Sequence, residues 1–174
     1  MRRRYGAEIT WLPFDLHPEY PVEGIPREQL NARYGEGWRA RLEASFQAVG
    51  LPYNPPPQVV PNTMRALRVT ELARERGRHE ALHDRLMDAY WSEAQDIGDP
   101  DVLRALTTEV GLDAAEVDDV LAGDRYRDLV ASSTAQAHSI GIDAIPAFVL
   151  DRRLVVLGAQ PKAVFEQAFQ QLDS

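Results

Sequence analysis

Gly141-Ile142-Asp143-Ala144-Ile145-Pro146-Ala147-Phe148-Val149-Leu150 is the stretch on which the fold turns. Gly141 closes a helical pattern whose stripe runs Leu129, Val130, Ser133, Ala137 and Ile140, and a glycine just past the last periodic residue is a stop signal. Pro146 then stands where an apolar run begins. Two readings are open there. Pro146 is the first residue of an edge strand, or the Ile145–Pro146 bond is cis, as the weakened trans preference of X–Pro bonds permits. In the second reading Ile145 turns its N–H and C=O outward, ready to pair with an extended peptide as an added strand.

Downstream, Ala147-Phe148-Val149-Leu150 and Leu154-Val155-Val156-Leu157 flank Asp151-Arg152-Arg153, which predicts an antiparallel hairpin. Gly158-Ala159-Gln160-Pro161 turns into a final helix with Val164, Phe165, Ala168, Phe169 and Leu172 on one face. Upstream lie many helices. Asp99-Pro100 is a capping carboxylate with proline at the first helical position, opening a helix to Val110. Asp113 caps the next one, which ends near Gly123. Asn62 is placed to cap a helix reaching Arg76, and residues 79–93 form another. Residues 27–34 are a short helix, and 38–49 carry Trp38, Leu42, Phe46 and Val49 at helical spacing. Leu51-Pro52-Tyr53-Asn54-Pro55-Pro56-Pro57 is a stiff connector, since consecutive prolines remove donors and hold the backbone extended. Residues 18–26 are a loop rich in Pro, Gly and acidic side chains. Glu8-Ile9-Thr10-Trp11-Leu12 alternates polar and apolar up to Pro13 and predicts a strand, and Arg2 to Gly6 reads as the last turn of a helix. No solenoid repeat is visible.

The 174 residues, 44% of them hydrophobic, suffice for one core or a core with an inserted lobe. No run approaches the roughly 18–20 apolar residues of a membrane span, and Met1-Arg2-Arg3-Arg4 leads into no apolar signal core, so a cytoplasmic protein without membrane contact is expected. A net charge of −8 argues against nucleic acid as a partner, because neutralising phosphates takes a cationic face. The absence of cysteine removes disulfides, thiolate metal sites and thiol nucleophiles from this chain.

His79-Glu80-Ala81-Leu82-His83 matches the H-E-x-x-H zinc motif. The flanking Arg78, Asp84 and Arg85 describe a solvated helix face instead, and no metal site is assigned. The helix start at Gly158-Ala159-Gln160-Pro161 offers unpaired N–H groups to a carboxylate, as every helix start does. Asn62-Thr63 is a cap first and a ligand contact second. Trp38 and Tyr90-Trp91 are read as core.

Trp11-Leu12-Pro13-Phe14-Asp15-Leu16-His17-Pro18, Pro61-Asn62-Thr63-Met64-Arg65-Ala66, Asp96-Ile97-Gly98-Asp99-Pro100, Gly141 to Phe148 and Gly158-Ala159-Gln160-Pro161 together resemble the DsbA superfamily, in the FrnE-like branch related to 2-hydroxychromene-2-carboxylate isomerases. The resemblance covers nearly the whole chain. It implies an α/β, thioredoxin-like fold with an inserted all-helical domain: residues 1–21 and 125–174 form the thioredoxin-like part, and 22–124 the insertion. It makes Pro146 the cis-proline of the family. Ile145, Pro146, Asn62, Gly158, Ala159 and Gln160 become the substrate-binding residues. It also implies what is missing, since the family's first central strand and its Cys-x-x-Cys motif have no counterpart here.

The missing strand would sit between residues 8–12 and 147–150. Buried backbone groups left without partners cost about 1–3 kcal/mol each, so strand rearrangement or a homodimer is expected to cover the gap. A truncated reading frame of a longer protein is the expected origin. No catalytic residue is assigned. The implied function is that of a thiol-disulfide oxidoreductase family whose present chain is redox-inert and keeps the substrate surface for an extended peptide. The alternatives are a glutathione-dependent isomerase, for which glutathione is the cofactor, and a non-catalytic peptide-binding module.

Overall fold

A computed structural model describes residues 2–35, 37–54 and 56–172. Met1 of the basic N-terminus and Pro55 of the proline connector lie outside the described residues. The elements run in the order α1 (Arg2–Tyr5), β1 (Ile25–Pro26), α2 (Gln29–Tyr34), α3 (Trp38–Ala48), β2 (Val59–Val60), α4 (Met64–Glu75), α5 (His79–Trp91), α6 (Pro100–Glu109), α7 (Ala114–Ala122), α8 (Arg127–Ser139), β3 (Ala147–Leu150), β4 (Leu154–Leu157) and α9 (Lys162–Leu172). The chain divides into two compact units, one made of Met1–Leu16 with Ala131–Ser174, the other of His17–Val130.

The His17–Val130 unit holds the hydrophobic core. Val69, Leu72 and Ala73 of α4, Leu82 and Ala89 of α5, Leu103 and Leu106 of α6, and Val117 and Val120 of α7 are all buried in one cluster. Its helices start as the sequence predicts. Asp99 accepts from Asp101 N–H with Pro100 behind it, and Asp113 accepts from Ala115 and Glu116 N–H, satisfying donors that the first helical turn leaves open. At α4 the cap shifts by one residue. Thr63 occupies the cap position without a side-chain bond, and the Asn62 Oδ1 accepts from Met64 N–H at 3.0 Å.

Three departures from the sequence reading stand out in this unit. Residues 25–26 and 59–60 pair as a minimal antiparallel ladder, Ile25 opposite Val60, two residues being too few to show a period. Arg27, expected to open a helix, is buried beneath it, donating to the Pro57 carbonyl at 2.5 Å and to Tyr90 Oη at 2.6 Å. Trp38 is not core. No residue of α3 is buried, and Val49, on the same stripe, is 68% exposed.

In the other unit, α8 stops as expected. Gly141 adopts φ +81, its N–H bonds to the His138 carbonyl and that of Ile142 reaches back to Ala137, a closure that the left-handed glycine makes possible. β3 and β4 form an antiparallel pair with Ala147 opposite Leu157 and Leu150 opposite Leu154. Among the described residues, the strand predicted at residues 8–12 is absent: the only ladders are β1–β2 and β3–β4. Alternation alone makes no strand, because a strand exists only where its backbone groups enter a ladder, and residues 8–12 join neither of these two. Among the described residues few large apolar side chains are buried in this unit, Ile142 and Val156 being the two, and α9 contributes none. Tyr5 stacks on Phe169 at 4.1 Å and Phe148 meets Phe165 edge-on at 5.0 Å, so the apolar face of α9 is covered in part only.

Candidate functional site

The Ile145–Pro146 peptide bond is cis. The Pro146 carbonyl accepts from Gly158 N–H at 2.7 Å, which ties the loop before β3 to the turn after β4 and brings Ile145, Pro146, Gly158, Ala159 and Gln160 into one neighbourhood. Gln160 folds over that turn, its Nε2 donating to the Leu157 carbonyl at 2.7 Å. Gly158 itself has φ +79.

The Pro146–Gly158 bond also fixes which backbone groups of β3 are spent on β4. Hydrogen-bonded pairs alternate along an antiparallel ladder, so Phe148 and Leu150 face β4. Ala147 and Val149 direct their N–H and C=O away from it. Among the described residues no hydrogen bond engages the N–H or C=O of Ile145. Ile145 is 56% exposed and Val149 44%. Ile145, Ala147 and Val149 therefore line an open edge with alternate donors and acceptors, which can hold an extended chain. Sequence reasoning named Ile145 and missed Ala147 and Val149. The signal was the strand's period of two, which needs a fixed register before it says which residues face out.

Residues 8–12, the other segment expected to border the missing strand, are exposed at Ile9 (39%), Trp11 (45%) and Leu12 (72%). A shallow cavity of about 480 Å³ is lined by Gly6, Ala7, Glu8, Ile9 and Thr10. This segment is anchored at its far end, where Asp15 N–H donates to Thr134 Oγ1 at 2.9 Å.

Asn62 belongs to the other compact unit. Its Nδ2 donates to the Tyr20 carbonyl at 2.7 Å while its Oδ1 holds Met64 N–H, so both ends of the amide have structural duties. It lines a polar cavity of about 180 Å³ with Glu23, Arg65, Asp96 and Asp99. In the same unit His79 and His83 stack with ring centroids 6.0 Å apart. The Arg74 guanidinium sits 2.9 Å from His79 Nε2, a cation where a metal would have to approach. Burial and then the Arg74 charge hold the His79 imidazole below its ordinary pKa.

A hairpin entered through an X–Pro loop and followed by an amphipathic helix, with a helical block earlier in the chain, is the arrangement a thioredoxin-like fold with a helical insertion would leave at its C-terminal end. The chain matches the DSBA-like thioredoxin domain over residues 1–170, and it belongs to that family. The probable DsbA oxidoreductase SCO1869 from Streptomyces coelicolor superposes with a TM-score of 0.85 at 35% identity, over 97% of this chain and 76% of that one. The uncharacterized protein YwbO of Bacillus subtilis (strain 168) is 30% identical over 164 residues, 93% of this chain and 80% of that protein. A 2-hydroxychromene-2-carboxylate isomerase shares the fold, with a TM-score of 0.77 at 17% identity over 99% of this chain and 84% of that one.

Proposed function

We propose that this chain binds extended, peptide-like ligands along the open edge of β3, acting as the substrate-holding surface of a DsbA-type thiol-disulfide oxidoreductase. The observation that carries the reading is the unpartnered backbone of Ile145, exposed at the head of that edge. An incoming strand gains main-chain hydrogen bonds there, and the exposed side chains of Ile145 and Val149 give it apolar cover. The chain holds no cysteine, so thiol-disulfide exchange, which needs an attacking thiolate, has no group of this chain to proceed through.

The test is fluorescence anisotropy of a labelled, extended apolar peptide, compared with the same peptide N-methylated at alternate residues. Methylation removes backbone donors without altering side chains, and it should weaken binding at least tenfold, the equivalent of about 1.4 kcal/mol. Ile145→Pro, which deletes the matching donor on the protein, should do the same. Equal affinity for both peptides would rule out strand addition. Glutathione serves as the competing ligand. A rise in melting temperature with millimolar glutathione and no peptide binding would move the ligand class to that tripeptide and favour the isomerase reading. Insulin reduction by dithiothreitol should run at the rate of the buffer blank.

A further inference from the structure

The two strands of the hairpin read Ala147-Phe148-Val149-Leu150 and Leu154-Val155-Val156-Leu157, apolar at every position. A strand with one wet face alternates apolar with polar, and an unbroken apolar run is the pattern of strands covered on both sides. The register assigns the faces. Successive side chains point to opposite sides of a sheet and cross-strand partners share a side, so Phe148 and Val156 lie on one face, while Ala147 with Leu157 and Val149 with Val155 lie on the other. The first face belongs to α9: Phe148 meets the Phe165 ring at 5.0 Å, and Val156 is buried. On the second, Val149, Val155 and Leu157 are 44%, 42% and 41% exposed. This bare apolar face borders the open edge of β3.

We propose that this face selects the ligand: the β3 edge takes extended polypeptide segments that carry bulky apolar side chains two residues apart, the larger of them beside Ala147. The inference rests on strand addition at that edge and deepens it by naming what the added strand must carry. Whichever way that strand runs, its residues beside Ala147 and Val149 are two apart and turn their side chains onto the bare face, in rows with Leu157 and Val155. The row through Ala147 has a hollow at its middle, where the chain supplies only a methyl group. A ligand residue there stands two strand spacings, roughly 10 Å, from Leu157, and an aromatic side chain leaning over Ala147 closes that gap. In the other row Val149 fills the middle, and a β-branched residue packs beside it. Ala147, Val149, Val155 and Leu157 offer no charge, so a lysine or glutamate in either ligand position finds no counter-ion among them and loses water contact.

Fluorescence anisotropy of the full chain with three labelled peptides tests this. One peptide carries Phe and Val two residues apart in a threonine-rich extended host, the second carries the same two residues adjacent, and the third has alanine in place of both. The first should bind about fivefold more tightly than the third, the gain expected of cross-strand aromatic and β-branched pairs. It should also bind more tightly than the second, which turns one of the two side chains to the α9 face. Leu157→Ser strips apolar cover from the bare face and takes no backbone group from the β3 edge. It should cancel the advantage of the first peptide and leave the affinity of the alanine peptide unchanged. Val155→Thr, which keeps the side-chain shape at an exposed position, should reduce the same advantage and serves where the serine variant fails to fold. Equal affinities across the series, or an advantage that survives both variants, would overturn the proposal, and sensitivity of the same binding to backbone N-methylation would leave strand addition standing. Failure of every peptide to bind would overturn both.

Discussion

At the scale of single residues, one buried cation limits what the helical unit can tolerate. Arg68 is 2% exposed, and its guanidinium serves three backbone carbonyls, those of Val120, Gly123 and Arg125. These are the orphan acceptors where α7 ends and the chain turns toward α8. No carboxylate is involved, so the fork geometry of arginine is what matters. Arg68→Ala should cost about 3 kcal/mol or more in urea unfolding, the price of leaving buried acceptors unmet. Arg68→Lys should recover little of it. Nothing in the string Met64-Arg65-Ala66-Leu67-Arg68 announces this, because a mid-helix arginine reads as solvated until its neighbours are known.

His79 gives the pH dependence. Burial and the Arg74 charge lower its folded pKa, so between that value and the unfolded one, near 6.5, the unfolded chain binds the extra proton. Stability therefore rises with pH across the window and falls on acidification. His79→Gln removes the titration, and its melting temperature should drop less than the parent's between about pH 7.5 and pH 5.5. An identical drop in both proteins would contradict this.

Among the elements, local chemistry was legible wherever a single residue decides the backbone. The caps at Asp99 and Asp113, the stop at Gly141 and the β3–β4 hairpin all stand where the sequence puts them. What was not legible depends on partners. Residues 8–12 have the alternation of a strand and join no ladder, while residues 25–26 and 59–60 pair without any pattern to show for it. Of the site, Ile145, Pro146 and Gly158 could be named from the sequence; the hydrogen bond from Gly158 N–H to the Pro146 carbonyl and the outward register of Ala147 and Val149 could not. The hairpin tip carries a testable cost. Asp151 and Arg152 adopt φ +49 and +55, a conformation that aspartate accepts more readily than arginine. Arg152→Gly should stabilise the protein by roughly 0.5–1 kcal/mol, read as a higher urea midpoint at unchanged slope. A loss of stability would mean that the arginine side chain contributes more than its backbone costs.

For the molecule as a whole, burial is uneven. The apolar core cluster lies entirely within residues 66–120, whereas α9 has no buried residue and the β3 edge stands open. Amide exchange should follow that division, slowest in α4, α5, α6 and α7 and fastest in β3, β4 and α9, since local opening is cheapest where few apolar contacts are lost. Uniform protection across the chain would show that the unit made of Met1–Leu16 and Ala131–Ser174 is covered by a further partner. The same openness is what the proposed ligand would use, because a strand added at β3 satisfies groups that otherwise face water.

Residue-resolved exchange of the Ile145 amide, measured by NMR with and without a saturating extended peptide, tests that claim most directly. The account predicts that this amide slows markedly when peptide is bound, with Ala147 and Val149 following and the α4–α7 amides unchanged. Peptide binding that leaves Ile145 exchanging as freely as before would contradict it.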